Sequence, residues 1–329
     1  MMKQTEFDMA VVGAGPVGTA AAIHAALQGL NVAVFESYSQ AKERPGESLP
    51  PGVEVIFRQL GVWDTIEKKP CIRNTGHFTR YKESEQTQFH PYGRDEKGEW
   101  QGIQLPRMML DTILRERALE LGVQLFAGCH IQTIQLKNES LQLVTQAKQP
   151  IAAKYYIDAT GAGHLFARNL GIKMLRHSPT LMAQFGYLEK HCPYHELPVF
   201  IQSQTGWSWY AEVEPQRYAW VSVDKNAKQT SKPINLIKAG GADVTWRIAQ
   251  QLAAPNFFLA GDAACVLDPS AGHGVLRALM TGIMAADYIS NIIKNRISAL
   301  DAYASYSFWL NEWFRQDVVQ LKQRFAGRN

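Results

Sequence analysis

Long apolar runs, paired cysteines and a strong excess of one charge are all missing from this sequence. No run of about 18 apolar residues could form a transmembrane helix, and the N-terminus lacks the apolar core of a secretory signal. The four cysteines are scattered without a CxxC motif, and the net charge of +4 comes without a long basic run. We therefore expect a cytoplasmic protein with reduced thiols, no transmembrane segment and no nucleic-acid partner.

A complete βαβ unit lies near the N-terminus. The apolar run MAVV leads into GAGPVG, a helical stretch follows, and a second apolar run, NVAVFE, ends at Glu36. In this GxGxxG spacing Gly13 allows a tight turn, Gly15 lets the backbone approach a pyrophosphate, and Gly18 lets helix and strand pack closely. Free N–H groups at the helix N-terminus bind the anion, and Glu36 accepts hydrogen bonds from a ribose. The unit predicts an adenine dinucleotide, FAD or NAD.

A second glycine-rich segment lies near the C-terminus. The sequence GDAACVLDPSAGHGV runs from Gly261 to Val275, between the apolar stretch PNFFLA and a long helical pattern. Two further segments are LPRMMLDTILRERALELGVQL, which contains Arg107, and IDATGAG at residues 157–163. Together with GAGPVG, these segments resemble flavoproteins of the p-hydroxybenzoate hydroxylase type over nearly the whole chain. The resemblance favours FAD over NAD.

This resemblance implies how FAD is held. The carboxylate of Asp262 binds the ribityl chain, and Arg107 contacts the cofactor. After Pro269 the chain turns at Gly272–Gly274 and enters a helix near Val275, whose positive end stabilises negative charge on reduced flavin. No side chain is a clear candidate for a covalent link, so noncovalent FAD is expected. The implied cofactor-binding residues are Gly13, Gly15, Gly18, Glu36, Ser48, Arg107, Gly261, Asp262, Pro269, Gly272, Gly274 and Val275.

The expected fold is of the α/β class. It combines a Rossmann-like FAD-binding domain of the glutathione-reductase type with a smaller substrate domain built on an antiparallel sheet. The predicted FAD-binding domain comprises residues 1–70, 100–175 and 254–329, and the substrate domain comprises residues 71–99 and 176–253.

The segment RPGESLPPGVEVIFRQLGVWD at residues 44–64 indicates a branch of this family. It resembles the tryptophan-halogenase-like branch, and most closely the flavoproteins that mature protein-derived quinone cofactors. This likeness places Gly46, Glu47 and Ser48 near the flavin. The plainer interpretation is a surface turn, because Pro-Gly and Pro-Pro form turns in any loop.

Halogenation itself is disfavoured by three departures from halogenase motifs. Ala211-Glu212 stands where the WxWxIP motif has Ile-Pro, and CIRNTGHFTRY has no lysine before Lys82. Gly-His-Gly replaces the Ser-Thr-Gly of the halide site. The resemblance instead implies hydroxylation of an aromatic substrate, small or borne on a peptide as a Trp or Tyr side chain, through a flavin C4a-hydroperoxide.

The electron source is open because no second GxGxxG motif marks an NAD(P)H domain. NAD(P)H visits the flavin transiently or a separate flavin reductase supplies electrons, and O₂ is the co-substrate. Candidate general bases are Glu47, His77 and His273, the last of which could instead face solvent. No HxH or HExxH pattern occurs, so no metal is proposed. The alternatives are an FAD-dependent dehydrogenase or reductase of an apolar, isoprenoid-like substrate, a flavin-dependent halogenase, and a flavin-bound accessory protein without turnover.

Two aromatic-rich stretches complete the expectations. Trp207, Trp209, Tyr210 and Trp220 lie in predicted strands, and alternation lets only some of them face the flavin. The tail DAYASYSFWLNEWFRQDVVQLKQRF is helical and amphipathic. It either packs back on the FAD-binding domain or presents a partner-binding or membrane-surface helix.

Overall fold

The computed structural model of the chain describes residues 7–82, 86–137, 140–224, 233 and 235–326. The α-helices are α1 (Pro16–Leu27), α2 (Val53–Leu60), α3 (Trp63–Glu67), α4 (Arg107–Glu120), α5 (Leu165–Leu170), α6 (Gly274–Ile293) and α7 (Ala299–Ala326). The strands are β1 (Phe7–Val12), β2 (Val32–Glu36), β3 (Ser48–Leu49), β4 (Ile72–Asn74), β5 (Gly76–Tyr81), β6 (Thr87–Pro91), β7 (Arg94–Asp95), β8 (Gly98–Glu99), β9 (Gly102–Gln104), β10 (Gln124–Ala127), β11 (Ile131–Lys137), β12 (Ser140–Thr145), β13 (Pro150–Ile151), β14 (Ala153–Asp158), β15 (Met174–Arg176), β16 (Met182–Glu189), β17 (Val199–Gln202), β18 (Gly206–Glu214), β19 (Arg217–Asp224), β20 (Ile237–Asp243), β21 (Arg247–Ala249), β22 (Ala253–Ala254), β23 (Phe257–Leu259) and β24 (Cys265–Val266).

A six-stranded sheet organises the first glycine turn. Its order is β10-β2-β1-β14-β23-β22, with the first five strands parallel and β22 antiparallel to β23. All of β2 and all but one residue of β1 are buried, as expected for near-continuous apolar runs in a parallel sheet. The carboxyl end of β1 therefore delivers the chain into the glycine turn and α1.

Helix α1 is held in close backbone contact on two sides. A Cβ atom at Gly18 would lie 1.8 Å from the carbonyl oxygen of Gly13. In α6, a Cβ atom at Gly282 would lie 2.3 Å from the carbonyl oxygen of Val17. Neither glycine can take a larger side chain without moving α1, so these two positions fix the helix between β1 and α6.

A seven-stranded sheet of order β20-β16-β19-β18-β17-β5-β6 faces this unit. Its pairings are antiparallel except between β17 and β5. Alternation divides the aromatic residues of the sheet between its two faces. Trp207 and Trp209 pack on the main core that includes the parallel sheet, whereas Tyr210 and Trp220 belong to a separate cluster with Val199.

The C-terminal helix α7 packs back on the parallel sheet. Its residues Tyr306, Leu310 and Phe314 are buried, and the Tyr306 hydroxyl donates a hydrogen bond of 2.7 Å to the Leu259 carbonyl oxygen at the end of β23. Phe308 on the opposite face is 72% exposed. Helix α7 therefore packs back on the fold, which was the first of the two interpretations of this stretch. Its last turn reaches the second glycine-rich segment.

The seven-stranded sheet lies within the segments expected for the substrate domain, but two small sheets join residues from both expected domains. The strands of the seven-stranded sheet all fall within residues 71–99 and 176–253. A small sheet of order β15-β21-β24 crosses the proposed boundaries, so the division into two domains stays a prediction. Within the described ranges, no helix has the length and apolar character needed to cross a membrane.

Candidate active site

The first glycine turn forms an open cradle at the N-terminus of α1. Gly13 has φ +106°, and a Cβ atom there would lie 2.4 Å from the carbonyl oxygen of Ala159. Gly15 precedes the first helical residue, and a Cβ atom on it would meet nothing within 4 Å. The helix has no side-chain cap and no acid in its first turn. Its free N–H groups are therefore available to an anion.

Glu36 ties the end of β2 to this turn. Its buried carboxylate accepts hydrogen bonds from the Ala14 amide at 2.8 Å, the Ser37 hydroxyl at 3.1 Å and the Tyr38 amide at 3.0 Å. The guanidinium of Arg115 lies 3.7 Å from it and donates to the Ala14 carbonyl oxygen. All these partners are protein groups, so the predicted contact between Glu36 and a ribose remains a prediction.

Asp262 is an exposed residue of the second glycine-rich segment. Gly261, with φ +57°, donates its amide to the Thr281 hydroxyl at 2.9 Å and directs the chain out of β23. The Asp262 side chain is accessible to solvent although protein atoms surround it, and this partial desolvation raises its pKa. The nearby groups whose positive charge opposes that rise are Arg277, Arg107, His164 and Arg247.

In the turn that leads into α6, two glycines flank His273. A short 3₁₀ turn, Pro269–Ala271, is followed by Gly272 with φ +71°, and α6 then begins at Gly274. Cβ atoms at Gly272 and Gly274 would meet nothing within 4 Å, and the first helical turn has neither a side-chain cap nor an acid. Like the start of α1, this N-terminus leaves backbone donors free beside open space.

Arg107 connects these parts. It begins α4, its Nε atom donates to Asp111 at 3.0 Å, and its Nη1 atom donates to the Pro45 carbonyl oxygen at 3.1 Å. A Cβ atom on Gly46 would lie 2.9 Å from that guanidinium and 3.2 Å from the side chain of Val275. The loop of residues 44–48, the start of α4 and the start of α6 therefore meet at one place.

These observations fit FAD. The uncapped N-terminus of α1 beside Gly15 suits the pyrophosphate, and the accessible carboxylate of Asp262 suits the ribityl hydroxyls. The turn at Gly272 and Gly274 leaves room for a flat ring against the start of α6. Among the described residues, no group of three or more His, Cys, Asp and Glu side chains could hold a metal ion.

Two tryptophans tie the seven-stranded sheet to the second glycine-rich segment and to the loop of residues 44–48. The indole N–H of Trp207 donates to the Asp268 carboxylate at 3.0 Å, and that of Trp209 donates to the Ser48 hydroxyl at 3.1 Å. Ser48 donates in turn to Gln104 at 2.6 Å. Ser48, in the loop of residues 44–48, thus supports Trp209 of the seven-stranded sheet. Its predicted contact with FAD remains a prediction.

Four aromatic rings form what we call the aromatic box: His77, His90, Tyr92 and Trp209. The ring of His77 lies 5.3 Å from that of His90, 5.9 Å from that of Tyr92 and 6.1 Å from that of Trp209, measured between centroids. Burial lowers the pKa of His77, and the nearby charges of His90 and Arg324 add to this effect. His77 is therefore a neutral imidazole near pH 7, able to accept a proton.

His273 is another of the candidate bases. It occupies the N-cap position of α6, but its side chain makes no capping hydrogen bond. It is exposed to solvent. Partial desolvation lowers the pKa of His273, an effect that Asp317 opposes and that Arg277 and Arg324 reinforce. His77 and His273 therefore share Arg324 as a charged neighbour.

Glu47 lies in a different recess. Its buried carboxylate accepts hydrogen bonds from the Gly46 amide at 2.8 Å and from the Tyr187 hydroxyl. Burial raises the pKa of Glu47, and Arg217 lies over the Tyr187 ring with its guanidinium carbon 4.2 Å from the centroid. The recess has a volume of about 240 Å³ and is also lined by Lys69, and no residue of the aromatic box lines it. Arg107 also lines this recess, and neither His77 nor His273 does.

Several residues that shape the site escaped the sequence analysis. Tyr187 is 140 residues from Glu47, and Gln104 is 56 residues from Ser48, so no local pattern connects either pair. Arg324 lies in a charged helical segment, and nothing in the sequence distinguishes it from the other charged residues there. Only His90 and Tyr92 had a usable signal, because His90 pairs with His77 in a predicted strand-turn segment and Tyr92 follows the strand of His90.

Comparisons with known proteins point to one family. A model of the FAD binding domain matches residues 6–239. The 1H-pyrrole-2-carbonyl-(peptidyl-carrier protein) chlorinase of Pseudomonas fluorescens is 24% identical over 93% of this chain and 80% of that protein. Menaquinone reductase of Mycobacterium tuberculosis is 24% identical over 86% of this chain and 76% of its own length. Other relatives are named as halogenases.

Solved structures show the same fold. PqsL of Pseudomonas aeruginosa, described as a probable FAD-dependent monooxygenase, superposes with a TM-score of 0.81 at 16% identity, covering 98% of this chain and 99% of its own. The family match and this likeness confirm the expected α/β FAD-binding fold.

Gly15→Ala tests the pyrophosphate cradle. The backbone of Gly15 has φ −80°, which alanine adopts freely, and its Cβ would meet no protein atom. We expect the free energy of unfolding of the FAD-free variant to change by less than about 1 kcal/mol, while the methyl group weakens FAD binding about 10-fold or more. Urea denaturation and flavin fluorescence titration measure the two effects. Unchanged FAD affinity would contradict this placement of the cofactor.

Tyr187→Phe tests the hydrogen bond to Glu47. Burial raises the folded pKa of Glu47 above its unfolded value, so the contribution of this group to stability falls as pH rises from about 4.3. The substitution removes a donor to the carboxylate and raises that pKa further. We expect the free energy of unfolding to drop by about 1–3 kcal/mol near pH 7, and by less in acid.

Urea denaturation over a pH series measures this effect, and Glu47→Gln supplies the control. In the Glu47→Gln background the pH-dependent part of the Tyr187→Phe effect should vanish. Its persistence there would show that another group titrates.

Proposed function

This chain belongs to the FAD-binding domain family, and from that premise we propose that it is an FAD-dependent monooxygenase that hydroxylates an aromatic substrate. The substrate is small or is a Trp or Tyr side chain of a peptide or protein. FAD is bound noncovalently, NAD(P)H or a separate flavin reductase supplies electrons, and O₂ is consumed. When bound and reduced, FAD supplies the activation of O₂.

The observation that carries this proposal is the aromatic box beside the turn before α6. The rings of His90, Tyr92 and Trp209 lie at centroid distances of 5.3 to 6.1 Å from that of His77, and the four together give a surface on which a flat ring can stack. The bonds of Trp207 to Asp268 and of Trp209 to Ser48 keep this surface in place. A substrate ring held there lies between the sheet and the turn at Gly272–Gly274.

The surrounding residues have distinct roles. Backbone N–H groups at the start of α6 stabilise negative charge that develops at the turn. The neutral imidazole of His77 accepts a proton from the hydroxyl of a phenol, which increases the electron density of that ring, whereas an indole ring reacts as the neutral molecule. His273 is the second candidate for this proton. Glu47, in its separate recess, positions the loop of residues 44–48.

Halogenation is the second candidate, because several relatives carry halogenase names. A halogenase of this kind needs an ammonium group beside the substrate. The segment that would supply it is β4–β5, which contains His77 and no lysine. The flanking Lys69 and Lys82 are exposed, and Lys69 lines the recess of Glu47. The chlorinase relative does support a ring carried on a protein, since its name specifies a pyrrole group on a peptidyl-carrier protein.

Product analysis tests the proposal. FAD-loaded protein is reduced with NADH, NADPH or a flavin reductase, then mixed with O₂ and phenols, indoles or Trp- and Tyr-containing peptides, with and without chloride or bromide. We expect a product that gains one oxygen atom from O₂ whether or not halide is present. A halogenated product would establish the second candidate, and O₂-independent reduction of an apolar double bond would establish a reductase.

His77→Gln tests the base. Because the pKa of His77 lies below its usual value of about 6.5, we expect hydroxylation to stay constant through that pH and to fall only in more acidic buffer. The variant should react about 100-fold more slowly and lose this acidic limb. His90→Gln, which changes a stacked neighbour, should weaken binding but keep the limb. A limb that survives in His77→Gln and disappears in His273→Gln would assign the base to His273.

A further inference from the structure

His164 connects the two glycine turns that are predicted to hold FAD. It follows β14 in a loop whose Ala159 carbonyl oxygen lies against Gly13 of the first turn. The Nδ1 atom of its imidazole lies 3.2 Å from the carbonyl oxygen of Ala263, the residue after Asp262. One buried side chain thus joins the loop beside the first glycine turn to the turn that carries Asp262.

Arg247 fixes the tautomer of this imidazole. Its Nε atom donates to Nε2 of His164 at 3.2 Å, and because an arginine N–H can only donate, Nε2 carries a lone pair. The proton of the neutral ring is then on Nδ1, which donates to Ala263. Both side chains are buried. A protonated ring would present an N–H group and a second positive charge to the guanidinium, so this hydrogen bond exists only while His164 is neutral.

The backbone of His164 supports a specific use of this side chain. Its φ of +46° and ψ of 50° lie in the left-handed region, which costs free energy for a residue that has a Cβ atom and which glycine enters freely. The hydrogen bonds to Ala263 and from Arg247 hold the residue in this conformation. The imidazole therefore supplies contacts that a glycine at this position could not.

The charged groups that face His164 come from three elements. Arg247 lies in β21, Asp158 ends β14 and already accepts three hydrogen bonds from the chain that follows it, and Asp262 lies in the turn after β23. Burial lowers the pKa of His164, the Ala263 carbonyl oxygen and the two carboxylates oppose that fall, and Arg247 adds to it. The neutral imidazole that the hydrogen bonds require is thus the form present near pH 7.

We propose that His164 is a positioning residue of the FAD site, and that it holds the two glycine turns in register only as the neutral imidazole. When the ring gains a proton it separates from Arg247, and the turn of Asp262 loses the donor that fixed it at Ala263. The Asp262 carboxylate then no longer lies where it meets the ribityl chain, so FAD affinity falls in acid. This inference rests on the binding of FAD and goes beyond the proposed hydroxylation, because no substrate takes part in it.

Fluorescence titration of FAD into the FAD-free protein over a pH series tests this role without any turnover. Because the neutral ring is required, we expect constant affinity above the ordinary histidine pKa of about 6.5 and a fall below it. One proton is linked to the change, so the affinity should fall about 10-fold between about pH 7.5 and pH 5.5.

Two variants of His164 separate its contacts from its titration. His164→Gly removes the imidazole and suits the left-handed backbone, so the variant should fold. At about pH 7.5 it should bind FAD about 10-fold more weakly, with no further fall in acid. His164→Asn also accepts this backbone and keeps an N–H donor for Ala263, but its amide does not titrate. It should retain most of the affinity and lose the fall in acid.

His24→Gln is the control variant. His24 is a buried histidine of α1 whose Nε2 atom lies 3.2 Å from the carboxylate of Asp287 in α6. It joins two elements as His164 does but contacts neither glycine-rich turn through its ring. This variant should keep the fall of FAD affinity in acid.

Three results would overturn the positioning role. These are an FAD affinity of the unchanged protein that is the same at both ends of the pH series, a fall in acid that survives in His164→Asn, and an unchanged affinity in His164→Gly. The second would assign the titration to another group, such as Asp262. A fall that depends on His164, found in a protein that gives no hydroxylated product, would leave the positioning role standing and contradict only the proposed reaction.

Discussion

Two indole hydrogen bonds determine where the rest of the site can lie. Trp207 and Trp209 project from one face of β18 and donate to Asp268 and Ser48, which belong to different loops of the FAD-binding segments. Because one strand supplies both donors, the sheet cannot shift relative to either loop without leaving a buried polar group unpaired. This bracing fixes Trp209, and with it the aromatic box, relative to both loops.

The loop of residues 44–48 separates two environments. On one side Ser48 supports Trp209 and the aromatic box. On the other side Glu47 accepts from Tyr187, and Glu43 pairs with Arg217. Burial and neighbouring charge then set opposite shifts, since the pKa of Glu47 is raised and that of His77 is lowered. The carboxylate of Glu47 is already engaged by Tyr187 and Gly46, so His77 is the candidate base that lies among the aromatic rings.

The sequence predicted best what depends on neighbouring residues. The roles of Gly15 and Gly18 follow from spacing within one βαβ unit. A Cβ atom at Gly15 would meet open space, and one at Gly18 would meet the backbone of Gly13, in agreement with those roles. The α/β fold and the packing of α7 were likewise accessible from periodicity. Contacts that join distant strands were not, because Tyr187 meets Glu47 only through the pairing of β16 in the sheet. The same holds for Arg324, whose position depends on how a 28-residue helix is docked.

The most direct test of this account is a crystal structure of the FAD-loaded protein with a phenol bound. The account predicts density for the flavin ring against the turn at Gly272–Gly274, with the ligand ring stacked on Trp209 and its hydroxyl directed at the edge of the His77 ring. A ligand ring in the recess beside Glu47, or a flavin ring away from the start of α6, would contradict it.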